Sequence, residues 1–167
     1  PSKQTIWIHG VSVGEVKAAS SLHEFFKSSY PDYQLVITTS TFTGIKQAKA
    51  SFPSAAYIGI LPLDLKVFTN RFIQKVNPAL FILCESDYWK NLLQNLKKHG
   101  CKVVLVNGKL SKRSFSRFSK FKRFSRVVFS QFDLICMQNQ IYFDRVKQLV
   151  DSKNMVVTGN LKLDLVY

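Results

Sequence analysis

Two carboxylates directly follow strand-like segments, where a side chain can reach a bound ligand. Glu15 stands between the β-branched and aromatic run at 5–9 and a segment whose apolar residues have helical spacing. Glu85 follows the wholly apolar run at 79–84. If both runs are strands of one parallel sheet, their carboxyl ends lie at the same edge and the two carboxylates share it. Carboxylates placed in this way could take and hold protons at that edge.

Glu15 also has a purely structural explanation. Ser12 and Glu15 have the Ser-x-x-Glu spacing of a capping box, in which each side chain satisfies a backbone N–H at the helix start. Gly14 favours a ligand instead, because glycine in a first helical turn costs about 0.5–1 kcal/mol relative to alanine. With Gly10, it would let a ligand approach the free N–H groups closely. The turn has neither a dinucleotide fingerprint nor a phosphate loop, so it does not indicate a nucleotide cofactor.

Composition narrows the classes of partner. The 167 residues include 24 Lys and Arg against 10 Asp and Glu, a formal charge of +14. This excess predicts an anionic partner, whether nucleic acid, phosphorylated lipid or acidic headgroups. The cysteines are widely spaced, as in a reduced cytoplasmic protein, and neither they nor the histidines have ligand spacing, so no metal site is predicted. The apolar runs are too short to span a bilayer, and no signal peptide is recognisable.

Strand-like and helix-like segments alternate along the chain. The predicted strands are 5–9, 34–39, 56–59, 79–84, 102–106, 134–137 and 155–157. This alternation predicts an α/β fold, a Rossmann-like doubly wound parallel sheet, as a single domain over residues 1–167. The turns expected at its carboxyl edge are 12–15, 40–44, 85–87, 107–112, 138–140 and 158–162. Polar residues follow strands in any α/β protein, so each of these turns taken singly is also explained as a helix cap.

Five segments together resemble one enzyme family. They are 7–15, 38–44, 85–91, 106–111 and 158–162. In this order they resemble the N-terminal half of the Kdo transferases, which add 3-deoxy-D-manno-octulosonic acid (Kdo) to lipid A, and the resemblance covers essentially the whole chain. Segment 85–91 reads Glu-Ser-Asp-Tyr-Trp-Lys-Asn where the family usually has Glu-Thr-Glu-Leu-Trp-Pro-Asn, and 107–109 reads Asn-Gly-Lys where Asn-Ala-Arg is common. The first glutamate is retained.

The resemblance implies a GT-B glycosyltransferase, in which two Rossmann-like domains face each other across a cleft. This chain would be the acceptor-binding domain, inactive when isolated, with the C-terminal donor domain and an N-terminal membrane anchor lying outside it. The implied reaction is inverting transfer of Kdo from CMP-Kdo to lipid A precursor in lipopolysaccharide core biosynthesis. It would take place at the cytoplasmic face of the bacterial inner membrane. No cofactor is implied beyond the donor substrate, which the C-terminal domain would mainly bind.

Resemblance and sheet geometry agree on the role of Glu15. Inverting sugar transfer needs a base for the acceptor hydroxyl, whereas the departing CMP phosphate needs no acid. Glu15 fits as that base, and its place at a helix N-terminus is expected to favour the ionised form. Glu85 is expected to orient the acceptor or to position the surroundings of Glu15. The full set of predicted acceptor-binding residues is Ser12, Gly14, Thr39, Ser40, Thr41, Glu85, Asn107, Lys109 and Lys162.

The segment 112–132 is both basic and aromatic. Phenylalanine at every third position drifts around a helix, so Phe121 or Phe124 should lie outside the stripe that faces the sheet. The predicted membrane interface consists of Lys120, Phe121, Lys122, Arg123 and Phe124, which would dock on anionic headgroups. A core helix with a solvated basic face remains open as the simpler interpretation.

Two other functions compete with the transferase. The same basic and aromatic segment could stack bases in a nucleic-acid-binding module, although no known RNA- or DNA-binding signature occurs. Salt-dependent binding to lipid A or to RNA would separate these hypotheses. A sugar-nucleotide domain acting on its own is disfavoured because a nucleotide fingerprint is absent from the sequence.

Overall fold

The computed structural model describes residues 4–151 and 153–162, apart from the side chain of Glu24. The strands are β1 (Thr5–His9), β2 (Gln34–Thr39), β3 (Tyr57–Ile60), β4 (Pro78–Cys84), β5 (Lys102–Gly108), β6 (Leu134–Met137) and β7 (Met155–Val157). The helices are α1 (Val13–Ser29), α2 (Phe42–Ser51), α3 (Lys66–Val76), α4 (Lys90–Lys98), α5 (Lys112–Lys120), α6 (Lys122–Phe129) and α7 (Gln140–Lys147).

The strands form one parallel sheet in the order β3-β2-β1-β4-β5-β6-β7. The chain runs outward from β1 to β3, returns, and then runs outward again from β4 to β7. Strand order therefore reverses between β1 and β4, and in such sheets ligands bind in the crevice outside the carboxyl ends of these two strands. The fold is Rossmann-like, as the sequence predicts, and Glu15 and Glu85 follow the two strands at the reversal.

Each face of the sheet has its own apolar core. One cluster includes Trp7, Phe81, Leu105 and buried side chains of α3, α4, α6 and α7. The other includes Ile6 of β1 with side chains of α1 and α2. Right-handed crossovers explain this division. Helices that connect strands added toward one side of the sheet pack on one face, and helices that connect strands added toward the other side pack on the opposite face. The central strands are apolar on both faces because both are covered.

The segment 112–132 contains two helices instead of one continuous helix. The break falls at Phe121, whose backbone (φ −117°, ψ 59°) leaves the helical region. Ser125 stabilises the corner, since its hydroxyl donates to the carbonyls of Phe118 at 2.5 Å and Phe121 at 3.1 Å. Phe129 is buried, whereas Phe121 and Phe124 are exposed. The prediction that Phe121 or Phe124 lies outside the core is confirmed, and both rings do so.

A polar side chain caps the start of each of two further helices. Thr41 accepts the Gly44 N–H and starts α2 at Phe42. Asn139 accepts the Tyr142 N–H and starts α7 at Gln140. Within residues 4–151 and 153–162, no helix is long and apolar enough to cross a membrane.

Candidate active site

Glu15 is held by the turn that joins β1 to α1. Its Oε2 accepts the Val11 N–H at 2.7 Å, and its Oε1 accepts the Ser12 hydroxyl at 3.3 Å. The Ser12 oxygen in turn accepts the Glu15 N–H at 3.4 Å and caps α1. The capping box therefore forms, with its return bond displaced by one residue, from Ser12 to Val11. Capping and a chemical role are compatible here, because the bonds fix the carboxylate while leaving it at the carboxyl edge of the sheet.

The pKa of Glu15 is raised above its ordinary value. Burial is the main cause, since only 7% of the residue is exposed, and the negative charge of Glu85 adds to it. The hydrogen bonds from Val11 and Ser12 act in the opposite direction without prevailing. The expectation that Glu15 favours the ionised form is therefore corrected, because burial raises its pKa. A raised pKa makes Glu15 a stronger base when it is ionised.

Glu85 ends β4 in a strained turn that faces Glu15. Its backbone is left-handed (φ 69°), as is that of Asp87 (φ 69°), a conformation that costs energy in residues other than glycine. The strand ladder anchors the turn, since Glu85 N–H donates to the Val106 carbonyl at 2.9 Å and the Glu85 carbonyl accepts the Lys109 N–H at 3.0 Å. The side chain of Glu85 is nearly buried, so the turn holds this carboxylate at the carboxyl edge of the sheet.

Two lysines approach the Glu85 carboxylate. Lys162 Nζ lies 2.7 Å from Oε2, and Lys109 Nζ lies 3.8 Å from Oε1. Asn107 makes the first contact possible, because its Oδ1 accepts the Leu161 N–H at 3.1 Å and holds the turn after β7. Asn107 itself is 2% exposed and left-handed (φ 54°). Asn107 thus supports the turn that carries Lys162, and its predicted contact with the acceptor stays a prediction.

The two glycines of the first turn differ in the space around them. A Cβ added at Gly10 would lie 3.2–3.3 Å from atoms of Glu15 and Val16, including backbone, so Gly10 lets β1 and α1 approach each other. A Cβ added at Gly14 would meet Lys162 Cε and Nζ only at 3.8 Å, which is ordinary contact. Gly14 is exposed, and a methyl-sized group fits there in ordinary contact with the Lys162 side chain.

The hydroxyl-rich turn after β2 divides into supporting and exposed residues. Thr39 is fully buried, and its hydroxyl donates to the Val11 carbonyl at 3.1 Å. Thr39 thereby steadies the turn that carries Glu15, and its predicted contact with the acceptor stays a prediction. Thr41 is exposed at the cap of α2, and Ser40 is exposed beside it. Ser40 and Thr41 are accessible to a ligand, as is the exposed Thr43.

His9 lies beside the site, although the sequence indicates no functional role for it. It is fully buried at the end of β1, and its Nδ1 lies 3.0 Å from both the carbonyl and the hydroxyl oxygen of Thr38. Trp7 Nε1 donates to the same hydroxyl at 2.8 Å. Burial lowers the pKa of His9 to about 4, so the ring is neutral. It supports the β1–β2 contact beneath the Glu15 turn.

The predicted membrane-interface residues are separate from these carboxylates. Lys120, Phe121, Lys122, Arg123 and Phe124 are all exposed at the corner where α5 meets α6. A shallow apolar depression there is lined by Ser114, Arg117, Phe118, Phe121 and Phe124. Lys90 Nζ lies 5.9 Å from the centre of the Phe124 ring, a cation–π contact that links the corner to the start of α4.

The fold and the carboxyl-edge site define a Rossmann-like domain with a crevice where strand order reverses. The same fold forms about half of a putative UDP-N-acetylglucosamine 2-epimerase from Listeria monocytogenes (TM-score 0.70, 13% identity, 99% of this chain and 47% of that one). The UDP-GlcNAc 2-epimerase from Neisseria meningitidis is similar (TM-score 0.69, 10% identity, 96% of this chain and 48% of that one). At such low identity these similarities establish the fold alone.

Sequence comparison identifies the family. The profile described as 3-deoxy-D-manno-octulosonic-acid transferase (kdotransferase) matches residues 1–165, and the chain belongs to this family. It is 36% identical over 159 residues to the 3-deoxy-D-manno-octulosonic acid transferase of Chlamydia trachomatis, covering 94% of this chain and 37% of that protein. Identity to the Haemophilus influenzae enzyme of the same name is 39% over 166 residues, covering 99% and 39%. The chain thus spans less than half the length of these relatives.

Proposed function

We propose that this chain is the acceptor-binding domain of a GT-B glycosyltransferase that moves Kdo from CMP-Kdo to lipid A precursor with inversion. Family membership supports Kdo transfer, and the relatives are long enough to carry a second domain for the donor. The observation that carries the proposal is the buried Glu15 carboxylate. It has a raised pKa and stands at the carboxyl edge where the sheet reverses its order.

In the proposed reaction Glu15 takes the proton of the acceptor's primary hydroxyl as that oxygen attacks the anomeric carbon of Kdo. The bond from this carbon to the CMP phosphate breaks at the same time, and the phosphate leaves with the electron pair without needing an acid. The Val11 N–H holds one carboxylate oxygen at 2.7 Å and so orients the base. The space over Gly14 admits the hydroxyl, because no side chain projects there from the helix.

Glu85 and Lys162 act as a pair in this proposal. The charge of Glu85 raises the pKa of Glu15, and Lys162 at 2.7 Å balances part of that charge. The same ammonium borders the space over Gly14, where an anionic group of either substrate would meet it. The pair thus orients the acceptor and sets the electrostatic surroundings of the base. Lys109, farther from Glu85 and more exposed, offers a second cation to the phosphorylated acceptor.

The proposed partners are lipid A precursor, CMP-Kdo and an anionic membrane surface, with the full-length enzyme at the cytoplasmic face of the inner membrane. The α5–α6 corner supports the membrane contact, because exposed phenylalanines stand among cations there. No nucleic-acid partner and no cofactor besides the donor substrate are proposed.

A transfer assay tests the reaction. Full-length enzyme incubated with CMP-Kdo and lipid A precursor should release CMP and add the mass of Kdo to the lipid. The 167-residue chain alone should give neither product, because the proposed donor domain supplies half of the cleft. Transfer by the isolated chain would overturn the division of roles between the two domains. Full-length enzyme that leaves this acceptor unchanged would overturn the proposed reaction.

A further inference from the structure

The segment 107–110 at the end of β5, here called the Lys109 turn, buries each of its residues except Lys109. Asn107 is 2% exposed, Gly108 is buried and Leu110 is fully buried. Lys109 is exposed, and its ammonium lies 3.8 Å from the Glu85 carboxylate. The Lys109 turn therefore presents one side chain, and that side chain is a cation at the carboxyl edge of the sheet.

Residues from later elements bond three of the carbonyl groups in the Lys109 turn. Gln138, which follows β6, donates its side-chain Nε2 to the Asn107 carbonyl at 2.9 Å and its backbone N–H to the Gly108 carbonyl at 3.0 Å. Arg145 of α7 donates to the Leu110 carbonyl at 2.7 Å. Because an unbonded carbonyl would be costly in a buried turn, these bonds fix the backbone on both sides of position 109.

Tyr88 bonds the remaining carbonyl of the turn, that of Lys109 itself. The Tyr88 hydroxyl donates to this oxygen at 3.3 Å. The Tyr88 ring packs against three aromatic rings, with centroids 4.9 Å away at Phe129, 5.8 Å at Phe118 and 6.3 Å at Phe132. Phenylalanine at position 88 would keep these ring contacts, so the distinct contribution of tyrosine is the hydrogen bond to the Lys109 carbonyl.

Tyr88 directly follows the strained turn that contains Glu85. The Lys109 N–H donates to the Glu85 carbonyl at 3.0 Å, while the Lys109 carbonyl accepts the Tyr88 hydroxyl. Both backbone polar groups of Lys109 are thus bonded to the segment 85–88. These two bonds set the position from which the Lys109 side chain extends toward the Glu85 carboxylate.

The charges around Glu85 leave the Lys109 ammonium available to a ligand. Lys162 Nζ already pairs with Glu85 Oε2 at 2.7 Å. Lys109 Nζ lies 3.8 Å from Oε1, beyond ordinary hydrogen-bond distance, and 47% of its side chain is exposed. Two ammonium groups against the one carboxylate that they share attract a further anion, and phosphate is an anion that lysine commonly binds.

We propose that Tyr88 is a positioning residue of the site, whose hydroxyl holds the Lys109 carbonyl so that the Lys109 ammonium binds a phosphate group of the acceptor. The inference rests on the proposed function, in which Lys109 offers a cation to the phosphorylated acceptor. Lysine carries its charge on a flexible four-carbon stem, so a fixed backbone reduces the entropy lost when the ammonium binds. Tyr88 therefore contributes to acceptor binding and not to the transfer step.

Amide hydrogen exchange, followed by NMR in the 167-residue chain, tests whether Tyr88 holds the Lys109 turn. Tyr88→Phe removes only the hydroxyl, so the Lys109 N–H should exchange about fivefold faster, the effect of one net hydrogen bond. The Leu105 N–H within β5 should exchange as in the parent chain. Tyr33→Phe is the matched control, because the Tyr33 hydroxyl bonds the Gln4 side chain beside the start of β1, at the opposite edge of the sheet. An unchanged rate at Lys109 in Tyr88→Phe, or the same increase in Tyr33→Phe, would overturn the proposal.

Steady-state kinetics of the full-length enzyme test the effect on the acceptor. Tyr88→Phe should raise KM for the phosphorylated acceptor by about fivefold and leave kcat unchanged, the pattern of a lost contact that substrate and transition state share. With acceptor from which a phosphatase has removed the phosphate groups, KM should be the same for Tyr88→Phe and the parent enzyme. Tyr33→Phe should match the parent enzyme with both acceptors.

Lys109→Met shows whether Tyr88 acts through Lys109. This change should raise the same KM by at least as much as Tyr88→Phe does, and adding Tyr88→Phe to it should cause no further rise, because both changes remove one contact. A rise in KM that is equal for the two acceptors, or a further rise in the double variant, would show that Tyr88 acts by another route and would overturn the inference.

The two proposals can fail separately. The exchange measurement uses neither CMP-Kdo nor the acceptor, so it does not depend on the reaction assigned to the site. Full-length enzyme that transfers no Kdo would overturn the proposed reaction. The Kd of the two acceptor preparations, measured without donor on the same variants, would then decide the role of Tyr88, and equal Kd values for Tyr88→Phe and the parent enzyme would overturn it.

Discussion

The Lys162 ammonium lies 2.7 Å from Glu85 Oε2, although the two residues are 77 positions apart in sequence. The contact joins the turn after β7 to the strained turn after β4, and Asn107 supports it from β5. It places a cation beside the carboxylate whose charge raises the pKa of Glu15. The basicity of Glu15 is thereby linked to the last described turn of the chain.

We therefore expect Lys162→Met in full-length enzyme to raise the pKa of Glu15 further. The acid limb of the pH–rate profile should move to higher pH, because the charge of Glu85 would be less well balanced. Turnover should fall by about tenfold or more, the order of one lost charge-assisted contact in a transition state. Lys109→Met is the matched control, since Lys109 is farther from Glu85, at 3.8 Å, and it should shift the profile less. Identical profiles for Lys162→Met and the parent enzyme would contradict this linkage.

Replacing the base itself should affect the rate far more than the fold. Glu15→Gln is expected to lower turnover by at least about 10²-fold, since general-base catalysis typically contributes about 10²–10⁴. Ser12→Ala is the control, because it removes the cap of α1 and should cost about 1 kcal/mol of stability with a much smaller effect on rate. If Glu15 served only as a cap, its substitution would behave like that of Ser12.

The raised pKa of Glu15 also predicts how stability changes with pH. Folding favours the protonated carboxyl, so Glu15 costs stability progressively as pH rises from its unfolded value of 4.5 through its raised folded value. Glu15→Gln removes this cost, and its advantage over the parent chain should grow across that interval and then level off. Urea unfolding of both chains at several pH values measures the difference. A gap that narrows with rising pH would contradict the assignment.

His9, beneath the site, should have the opposite effect on the pH dependence of folding stability. The folded pKa of His9, about 4, lies below the ordinary 6.5. The contribution of the neutral ring to folding stability is therefore complete above pH 6.5 and is lost as pH falls toward 4. The difference of about 2.5, at 1.36 kcal/mol per pH unit, corresponds to about 3 kcal/mol. His9→Asn keeps a donor near Nδ1 and removes the titration. Its unfolding free energy should therefore fall less steeply than that of the parent chain between pH 6.5 and 4.

Glycine substitutions distinguish the ligand space from the packing contact. Gly14→Ala should leave stability unchanged or raise it by about 0.5–1 kcal/mol, because alanine suits a helix and meets only ordinary contacts. In full-length enzyme it should nevertheless slow transfer, since the methyl group occupies the space proposed for the acceptor hydroxyl. Gly10→Ala should destabilise the chain instead, because its Cβ would lie 3.2 Å from Val16 N. Full activity in Gly14→Ala would show that the acceptor approaches elsewhere.

Much of this architecture can be predicted from the sequence because its determinants are local. Apolar runs at 79–84 and 134–137 lie within strands of the structure, and the alternation of strands and helices leads to the parallel sheet. The shared edge of Glu15 and Glu85 follows from topology alone.

The features that the sequence does not predict depend on contacts between distant residues. Asn107 and Thr39 stand in polar turns and resemble ligand contacts in the sequence, but folding buries both as supports. The break at Phe121 depends on the Ser125 hydroxyl, which no helical period encodes. The exposure of Leu65 and Phe68 at the start of α3 is not predicted, because they have the spacing of a buried helix face and only packing shows that they face outward.

The α5–α6 corner allows a last prediction, on the electrostatic part of membrane binding. Replacing Lys120, Lys122 and Arg123 by Gln should sharply weaken binding of the 167-residue chain to anionic vesicles, since each cation near the surface contributes about 1 kcal/mol. All three side chains are exposed, so the variant should fold normally. Binding of the parent chain should fall as salt rises, and the variant should respond less to salt.

The control is a triple variant with the same change in charge on the opposite face of the sheet. It replaces the exposed residues Lys17, Lys46 and Lys49 of α1 and α2 by Gln. Equal losses from the two triple variants would show that net charge alone drives binding, and salt-insensitive binding would exclude the electrostatic contact.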